Sequence, residues 1–381
     1  MYKTMTPGPT NVRENVRMAR SLETTNPDID PAFYEFYKET CELLARLLHT
    51  KNNAYILGGE GILGLETACA SLTEPRDRVL ILDNGVFGRG FADFVTMYGG
   101  ETVSFVSDYH RPISVSELED FLKKDSDFKY ATVVHCDTPS GVLNPINEIC
   151  NLLASYGILT VVDSVAGMFG EYVNIDESKI DILCGGSQKA LSAPPGLTML
   201  WVRDRAMEMI ENRKTPIASF YANILNFKDY YKKQEFPYTM PISDIYGLRA
   251  AAENVAADKN ILERHARIAA ATRKALTAGG LSFFLEDGFA NTVTAVSVPE
   301  GLTDRQILDT MKNRYHVMIT GSFDTMAGKV LRIGHMGENA NEADLCITLR
   351  AMTQALKDLG FPVACSMDEA FQKALAEDEN R

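Results

Sequence analysis

The sequence predicts an α/β fold: a large domain with a mainly parallel seven-stranded sheet between helices, followed by a smaller C-terminal α+β domain. Over about the first 200 residues, apolar runs of strand length alternate with helix-length segments, a pattern typical of parallel sheets covered on both faces. A helical pattern at 243–276 then leads away from the sheet, since no strand-length run interrupts it. With 381 residues and a hydrophobic content of 45%, the chain can bury two cores.

Seven apolar runs are predicted to form the strands of the large domain. They lie at 54–57, 78–82, 102–106, 130–135, 158–162, 180–184 and 198–202. The first long helix is predicted at 30–48, because Asp30 is a good N-cap and Pro31 suits the first helical position, where its missing N–H costs nothing.

The predicted domain division falls near Asp258. It separates an N-terminal segment at 1–15 and a large domain at 16–257 from a small domain at 258–381. The small domain is predicted to contain strands near 292–298 and 330–333 and helices near 304–314 and 342–359. The acidic tail at 366–381 is predicted to be a frayed, solvated helix.

The composition favours small molecules as partners. A formal net charge of -13 disfavours nucleic acid and anionic membrane surfaces, because no basic cluster offsets phosphate repulsion. The sequence has neither a signal-like apolar run at its start nor a stretch of membrane-spanning length, so a cytoplasmic location is expected. Seven cysteines form no CxxC pair and are predicted to be reduced buried thiols, and no metal site is predicted.

Two residues, Asp163 and Lys189, have a spacing that suits the chemistry of a pyridine aldehyde. Asp163 ends an apolar strand, and Lys189 follows the next apolar run along the chain. An acid at the carboxyl end of a parallel strand can pair with a protonated pyridine nitrogen, while a lysine one crossover later can reach the aldehyde on the opposite side of the ring. Taken singly, a lysine after a strand is usually a solvated surface charge, and the acid could be a helix cap, so the pairing carries the prediction.

The residues around Lys189 favour the chemical interpretation. Gly185 and Gly186 are predicted to allow a tight turn, while Ser187 and Gln188 offer hydrogen bonds beside the lysine. An amine that is held over a cleft and partly desolvated has a lowered pKa and can act as a nucleophile.

At this point the sequence resembles the class V aminotransferases of the fold-type I pyridoxal-phosphate superfamily, in the alanine–glyoxylate and serine–pyruvate branch. The matching motifs run in order along nearly the whole chain: TPGPTNV at 6–12, the glycine loop at 58–64, DTPSGVLNP at 137–145, DSVAGMFG at 163–170, GSQKALSAPPG at 186–196 and RIGHMG at 332–337. The resemblance implies transamination between a small amine and a small keto acid.

The resemblance also implies a role for each matching residue. Lys189 would hold pyridoxal or pyridoxal phosphate as a Schiff base and shuttle a proton, and Asp163 would keep the ring nitrogen protonated. Phe87 would stack on the ring face, and Thr138 would hydrogen-bond its substituents; a core aromatic and a plain turn are the alternatives. Arg332 would bind the substrate carboxylate through two parallel hydrogen bonds, with a surface ion pair as its alternative.

The loop that the branch uses for the cofactor phosphate departs from the usual pattern. It presents Glu60, Gly61 and Ile62 where small polar residues are usual. At about 4 Å and an effective dielectric near 20, two unit charges repel by roughly 4 kcal/mol, which opposes binding of a phosphate dianion. Gln188 and Thr239 keep the phosphate-compatible pattern.

With Glu60, this loop resembles that of the branch's pyridoxamine–pyruvate enzymes, which also have a glutamate there. Those enzymes bind the unphosphorylated ring as a substrate. The resemblance therefore implies that Glu60 binds the free hydroxymethyl group and that pyridoxamine and pyruvate give pyridoxal and L-alanine. A phosphate-dependent alanine–glyoxylate or serine–pyruvate aminotransferase is the alternative. Phe323 stands where the pyridoxamine enzyme has an arginine, and Phe236 where the branch has a tyrosine.

Assembly is expected from the same resemblance. The branch builds each site at a dimer interface, which implies a homodimer or a dimer of dimers with Tyr238 and Thr239 contributed by the partner chain.

Three other functions explain less of the sequence. Residues 59–64 satisfy GxGxxG, and Asp83 ends the next strand, as a dinucleotide fold requires, but Asp163, Lys189 and Arg332 then have no role. A catalytically silent binding protein has no need of these three residues. A cysteine desulfurase requires a mobile late cysteine, whereas Cys346 lies in an apolar helical pattern and is predicted to be core.

Overall fold

The computed structural model describes residues 2–379 as a mainly α/β chain. Its strands are β1 (Lys3–Thr4), β2 (Asn53–Gly58), β3 (Arg78–Asp83), β4 (Glu101–Val106), β5 (Tyr130–Val134), β6 (Cys136–Asp137), β7 (Val142–Leu143), β8 (Leu159–Asp163), β9 (Ile182–Gly186), β10 (Leu197–Val202), β11 (Val293–Ser297), β12 (Val317–Met318), β13 (Thr320–Gly321) and β14 (Val330–Gly334). Its α-helices are α1 (Glu14–Ala19), α2 (Pro31–Leu47), α3 (Gly61–Leu72), α4 (Val86–Met97), α5 (Val115–Leu122), α6 (Ile146–Ser155), α7 (Asp204–Glu211), α8 (Tyr230–Lys233), α9 (Ile242–Ala257), α10 (Ile261–Ala278), α11 (Asp304–Tyr315), α12 (Glu342–Asp358) and α13 (Met367–Glu379).

The main sheet has seven strands in the order β2-β10-β9-β8-β5-β3-β4. All neighbouring pairs are parallel except the two made by β10, which is antiparallel to both β2 and β9. The central strands β5, β8 and β9 are buried along their whole length, as expected for parallel strands with helices on both faces. The predicted mainly parallel seven-stranded sheet is confirmed.

Two glycines predicted to form a tight turn lie instead within the sheet. Gly185 and Gly186 are the last residues of β9 and pair with Met199 and Thr198 of β10. A β-carbon at Gly185 would lie 2.5 Å from the sulfur of Met168. The glycines therefore serve close packing beneath the site, and the interpretation as a turn was wrong.

The long helical pattern at 243–276 forms two helices rather than one. α9 ends at Ala257, Asp258 has non-helical backbone angles, and α10 begins at Ile261. The predicted domain division falls at this break. Before it lies the hydrophobic core around the main sheet, and a second core is built largely from residues after it.

The second core surrounds a three-stranded antiparallel sheet in the order β11-β14-β13. The N-terminal segment also joins this core, because β1 pairs with β12 and the Met5 side chain is fully buried there. The acidic tail was wrongly predicted to be solvated. Helix α13 buries Phe371 and Met367 completely in the second core, so its apolar stripe outweighs its charged composition. Residues 380–381 of that prediction lie outside the described residues.

No helix within residues 2–379 combines the length and the apolar character needed to cross a bilayer. All seven cysteines are free thiols, and Cys346 is partly buried against the second core. No cluster of potential metal ligands occurs among these residues.

Candidate active site

A cavity of about 130 Å³ opens at the edge of the main sheet where the parallel strands have their carboxyl ends. Side chains reach it from the segments that follow β2, β3, β5, β8 and β9, because these ends meet at one edge. The cavity is lined by Glu60, Gly61, Ile62, Leu65, Phe87, Cys136, Thr138, Asp163, Val165, Ala166, Gln188 and Lys189. The structure thus brings together every predicted ring-binding residue except Thr239.

Glu60 is the N-cap of helix α3 and lies at one end of the cavity. Its Oε1 accepts a hydrogen bond of 2.9 Å from the backbone N–H of Ile62. Its Oε2 accepts one of 3.1 Å from Nε2 of Gln188. Two donors that could bind an anion at this helix terminus therefore already bind a carboxylate of the chain itself.

Gln188 also has an unsatisfied acceptor. Its Oε1 is buried and has no hydrogen-bond partner among the described residues. A buried polar atom without a partner carries a free-energy cost, which a ligand with a hydroxyl group removes when it donates to that atom.

Asp163 ends β8 and is only 5% exposed. Its Oδ1 accepts a 2.9 Å hydrogen bond from the backbone N–H of Val165, which fixes the carboxyl group. Burial raises the pKa of Asp163 to about 7; the nearby Asp137 carboxylate adds to the rise, and the Lys189 ammonium opposes it. A buried acid of this kind is well suited to pair with a cation brought by a ligand.

Lys189 follows β9, and its Nζ donates a 2.6 Å hydrogen bond to the backbone carbonyl of Pro7. Burial lowers the pKa of Lys189, and the positive charge of Arg332 lowers it further. A larger fraction of the amine is therefore neutral and nucleophilic near neutral pH than for a solvated lysine.

Asp137 is a further charged residue at the site, which the sequence reasoning missed. Its Oδ1 accepts a 3.0 Å hydrogen bond from the backbone N–H of Phe87, and its Oδ2 accepts one of 3.1 Å from the Ser140 hydroxyl. A β-carbon at Gly85 would lie 2.4 Å from the Asp137 carboxyl carbon, so this approach requires glycine. The sequence feature that could have identified Asp137 is its position beside Thr138, after an apolar strand.

Arg332 lies on β14, outside the cavity lining but close enough for its charge to act on Lys189. Arg332 is 7% exposed, and burial lowers the pKa of its guanidinium to about 10. Its Nε donates a 2.8 Å hydrogen bond to Gly321 O, the only hydrogen bond of this side chain within residues 2–379. The terminal nitrogens are therefore available to a carboxylate.

Phe323 joins the predicted clamp to the predicted ring-stacking residue. Its ring lies 5.2 Å from the guanidinium carbon of Arg332 and 6.0 Å from the ring of Phe87, in an edge-on arrangement. A cation over an aromatic face is stabilised by the ring quadrupole, so Phe323 orients the guanidinium without adding a charge.

The predicted partner-chain residues lie away from the cavity of their own chain. Thr239 is exposed, and its hydroxyl donates a 3.1 Å hydrogen bond to Asp28. Phe236 is buried and stacks on Tyr34 at 4.6 Å, so it belongs to an aromatic cluster within the chain. The contribution of Tyr238 and Thr239 to a neighbouring site remains a prediction.

Comparison with known proteins decides the family. The model of the family described as Aminotransferase class-V matches residues 24–321. The chain belongs to the class-V aminotransferases. A relative in Mesorhizobium japonicum named pyridoxamine–pyruvate transaminase is 34% identical over 98% of this chain and 95% of its own length. A relative in Callithrix jacchus named alanine–glyoxylate aminotransferase is 31% identical over 92% of this chain and 86% of its own.

A solved structure supports the fold of this class-V aminotransferase. The crystal structure of pyridoxamine–pyruvate aminotransferase from Mesorhizobium loti superimposes with a TM-score of 0.94 at 32% identity, covering 98% of this chain and 97% of that one. The predicted membership of class V and of fold type I is confirmed.

Class-V aminotransferases depend on pyridoxal phosphate, and the residues of this site fit the two ends of that cofactor unequally. The buried Asp163 carboxyl and the Lys189 amine fit a pyridine aldehyde. The buried Oε1 of Gln188 accepts no hydrogen bond from the described residues and can accept one from a ligand. A phosphate group fits less well, because Glu60 already occupies the N–H of Ile62 and the amide of Gln188.

Proposed function

We propose that this class-V aminotransferase converts pyridoxamine and pyruvate to pyridoxal and L-alanine, with the unphosphorylated ring as a substrate. The single observation that carries the proposal is the Glu60 carboxylate at the N-terminus of α3, hydrogen-bonded to Ile62 and Gln188 inside the cavity. In the reaction, one amino group moves from the ring substrate to the keto acid. The carbonyl oxygen of the keto acid leaves as water, and another water supplies the aldehyde oxygen of pyridoxal.

Glu60 distinguishes a hydroxymethyl group from a phosphate by charge and by hydrogen bonding. A hydroxymethyl group can donate to the carboxylate or to the orphan Oε1 of Gln188, whereas a phosphate dianion can donate to neither. Two unit charges about 4 Å apart repel by roughly 4 kcal/mol at an effective dielectric near 20. Because Glu60 is exposed, solvent reduces this repulsion, and we expect a smaller discrimination.

The residues of the chain have complementary tasks in this reaction. The bound ring supplies the electron-withdrawing system that makes the proton on the reacting carbon removable. Lys189 Nζ binds the ring aldehyde and, when free, moves that proton between the two reacting carbons. Asp163 holds the proton on the ring nitrogen, and Arg332 binds the carboxylate of pyruvate or alanine.

A phosphate-dependent alanine–glyoxylate or serine–pyruvate reaction is the second candidate. The observation that favours it is the exposure of Glu60, which gives this side chain room to turn away and leave the N-terminus of α3 to a phosphate. Arg332 serves either reaction, because pyruvate and glyoxylate are both small keto acids with one carboxylate.

The test compares pyridoxal with pyridoxal phosphate in absorbance titrations of the purified protein, followed by an assay for pyridoxal formed from pyridoxamine and pyruvate. The key variant is Glu60→Ser, since serine retains the N-cap of α3 and removes the charge. Asp93→Ser, at an exposed position in α4, is the control with the same change in net charge.

We expect the parent protein and Asp93→Ser to bind pyridoxal and to form pyridoxal from pyridoxamine. Glu60→Ser should shift the preference toward the phosphate ester by roughly tenfold to a hundredfold. Tight binding of the phosphate ester by the parent protein, without formation of free pyridoxal, would overturn the proposal and leave the phosphate-dependent aminotransferase in its place.

A further inference from the structure

The segment Thr6–Pro7–Gly8–Pro9–Thr10 belongs to a motif to which the proposed reaction assigns no role. It runs from the second core to the cavity and lies against Lys189. We infer that this segment, the N-terminal strap, is a positioning element that fixes the Lys189 amine through the Pro7 carbonyl and sets its place relative to Arg332.

The strap holds both ends of the lysine residue. At the side chain, Nζ of Lys189 donates to Pro7 O at 2.6 Å. At the backbone, the Thr10 hydroxyl donates to Lys189 O at 3.1 Å, and the Thr10 N–H donates to Gln188 O at 3.1 Å. The amine is therefore held at its tip and at its root by one short stretch of chain.

Gly8 permits this approach, whereas a residue with a side chain requires the end of the Lys189 side chain to move. Its φ of +95° is unfavourable for residues with a side chain. A β-carbon there would also lie 2.5 Å from Cδ and 2.7 Å from Nζ of Lys189. The strap thus contacts the reactive part of the lysine directly, in addition to its backbone.

The strap and Met5, the residue directly before it, lie against the strand that carries the proposed carboxylate clamp. The N–H of Gly334 donates to Met5 O at 2.8 Å, and a β-carbon at Gly334 would lie 2.2 Å from Thr6 O. Gly334 is two residues beyond Arg332 on β14. Lys189 precedes Ala190 of the first core, whereas Arg332 lies between two residues of the second core. The strap and Met5 are therefore a direct covalent and hydrogen-bonded connection between the segments that carry Lys189 and Arg332.

A fixed acceptor for the amine has a purpose in the proposed reaction. When the ring is a substrate, it leaves after each turnover, and Lys189 must present its amine at the same place to the next aldehyde. The inference rests on the proposed function only for this purpose; the positioning itself applies to either form of the ring.

The decisive variant is Gly8→Ala in the 381-residue chain, with Gly280→Ala as the matched control. Gly280 has a φ of +93° and would meet nothing within 4 Å, so it imposes similar backbone strain without a collision. Absorbance titrations with pyridoxal and with pyridoxal phosphate, at a series of pH values, measure capture of each aldehyde, and thermal unfolding monitors the fold. At pH values above the midpoint, where the amine is neutral in every variant, we expect Gly8→Ala to weaken capture of whichever ring the parent binds by roughly tenfold or more, and Gly280→Ala to leave it unchanged.

The pH profile separates positioning from a general structural effect. The Pro7 carbonyl stabilises the ammonium form of Lys189 more than the neutral amine, so loss of this contact should move the midpoint of aldehyde capture to lower pH. The other groups that act on the amine are Arg332, Asp163, Glu60 and Cys136, which the variant leaves in place. Weaker capture with an unchanged midpoint would show that the strap only packs against the site and would overturn the inference.

A second variant decides the matter if Gly8→Ala does not fold. Thr10→Val keeps the side-chain shape and removes the hydroxyl that bonds Lys189 O and, at 3.2 Å, the Ser192 hydroxyl. We expect capture weakened by about two- to tenfold, because a buried hydrogen bond is lost. Parent-like capture by Thr10→Val would overturn the inference, whereas the choice between pyridoxal and its phosphate tests the proposed function separately.

Discussion

Replacement of Asp163 by asparagine tests the free-energy cost of the buried carboxyl group. The unfolded chain titrates this group near 3.8, whereas burial places its pKa at about 7 in the folded protein. Between these values the folded chain binds more protons, so the free energy of unfolding falls as the pH rises from about 4 to about 7. A shift of this size corresponds to about 4 kcal/mol, which is fully expressed above pH 7.

Asp163→Asn should therefore stabilise the protein prepared without a ring. Asparagine keeps an acceptor for the Val165 N–H but carries no charge, so the free energy of unfolding at pH 8 should rise by up to about 4 kcal/mol. At pH 4 the gain should nearly vanish, because the parent carboxyl group is then largely protonated. Denaturant unfolding at the two pH values measures the difference.

The same variant should lose function while it gains stability. Removal of one member of a buried ion pair costs about 3–5 kcal/mol, so transamination should slow by roughly a hundredfold to five-thousandfold. Glu171→Gln is the control: burial also raises the Glu171 pKa to about 7, but this carboxylate bonds Asn291 away from the cavity. A less stable Asp163→Asn protein at pH 8, or undiminished transamination, would refute the reasoning.

Two further predictions concern the clamp and the C-terminal helix. Arg332→Gln removes the proposed charge-assisted clamp, which would be worth about 1.5–3 kcal/mol, so KM for pyruvate, the proposed keto acid, should rise roughly tenfold to a hundredfold in steady-state assays; an unchanged KM would exclude Arg332 as the carboxylate ligand. Phe371→Ala should lower the free energy of unfolding by about 3–5 kcal/mol in denaturant titrations, because Phe371 is completely buried in the second core; a loss below about 1 kcal/mol would favour a solvated tail.

Features encoded by local pattern could be predicted from the sequence. Asp30 and Pro31 specify the start of α2 by capping geometry, and Asp30 accepts the expected hydrogen bond from Ala32. Asp163 and Lys189 each follow an apolar run, and carboxyl ends of parallel strands meet at one edge by topology. Their convergence in one cavity therefore needed no knowledge of packing.

Errors arose where a distant part of the chain determined the environment. Composition indicated a solvated tail, but α13 meets the second core and buries Phe371 there. Gly185 and Gly186 were interpreted as a turn, because their pairing with β10 is not visible in the local sequence. Burial by a remote element outweighs a local tendency, since apolar area removed from water is worth more than the preferences of single residues.

The sequence by itself determined the fold class, the family and the residue types of the site, because periodicity, strand ends and ordered motifs are properties of short stretches. Tertiary structure decided which contacts those residues make. Only folding brings Gln188 to the Glu60 carboxylate, Pro7 to the Lys189 amine and Phe323 to the face of Arg332. These contacts join residues from about 9 to 182 positions apart, and a hydrogen bond or a cation–π contact depends on distances of a few ångströms that no local pattern encodes.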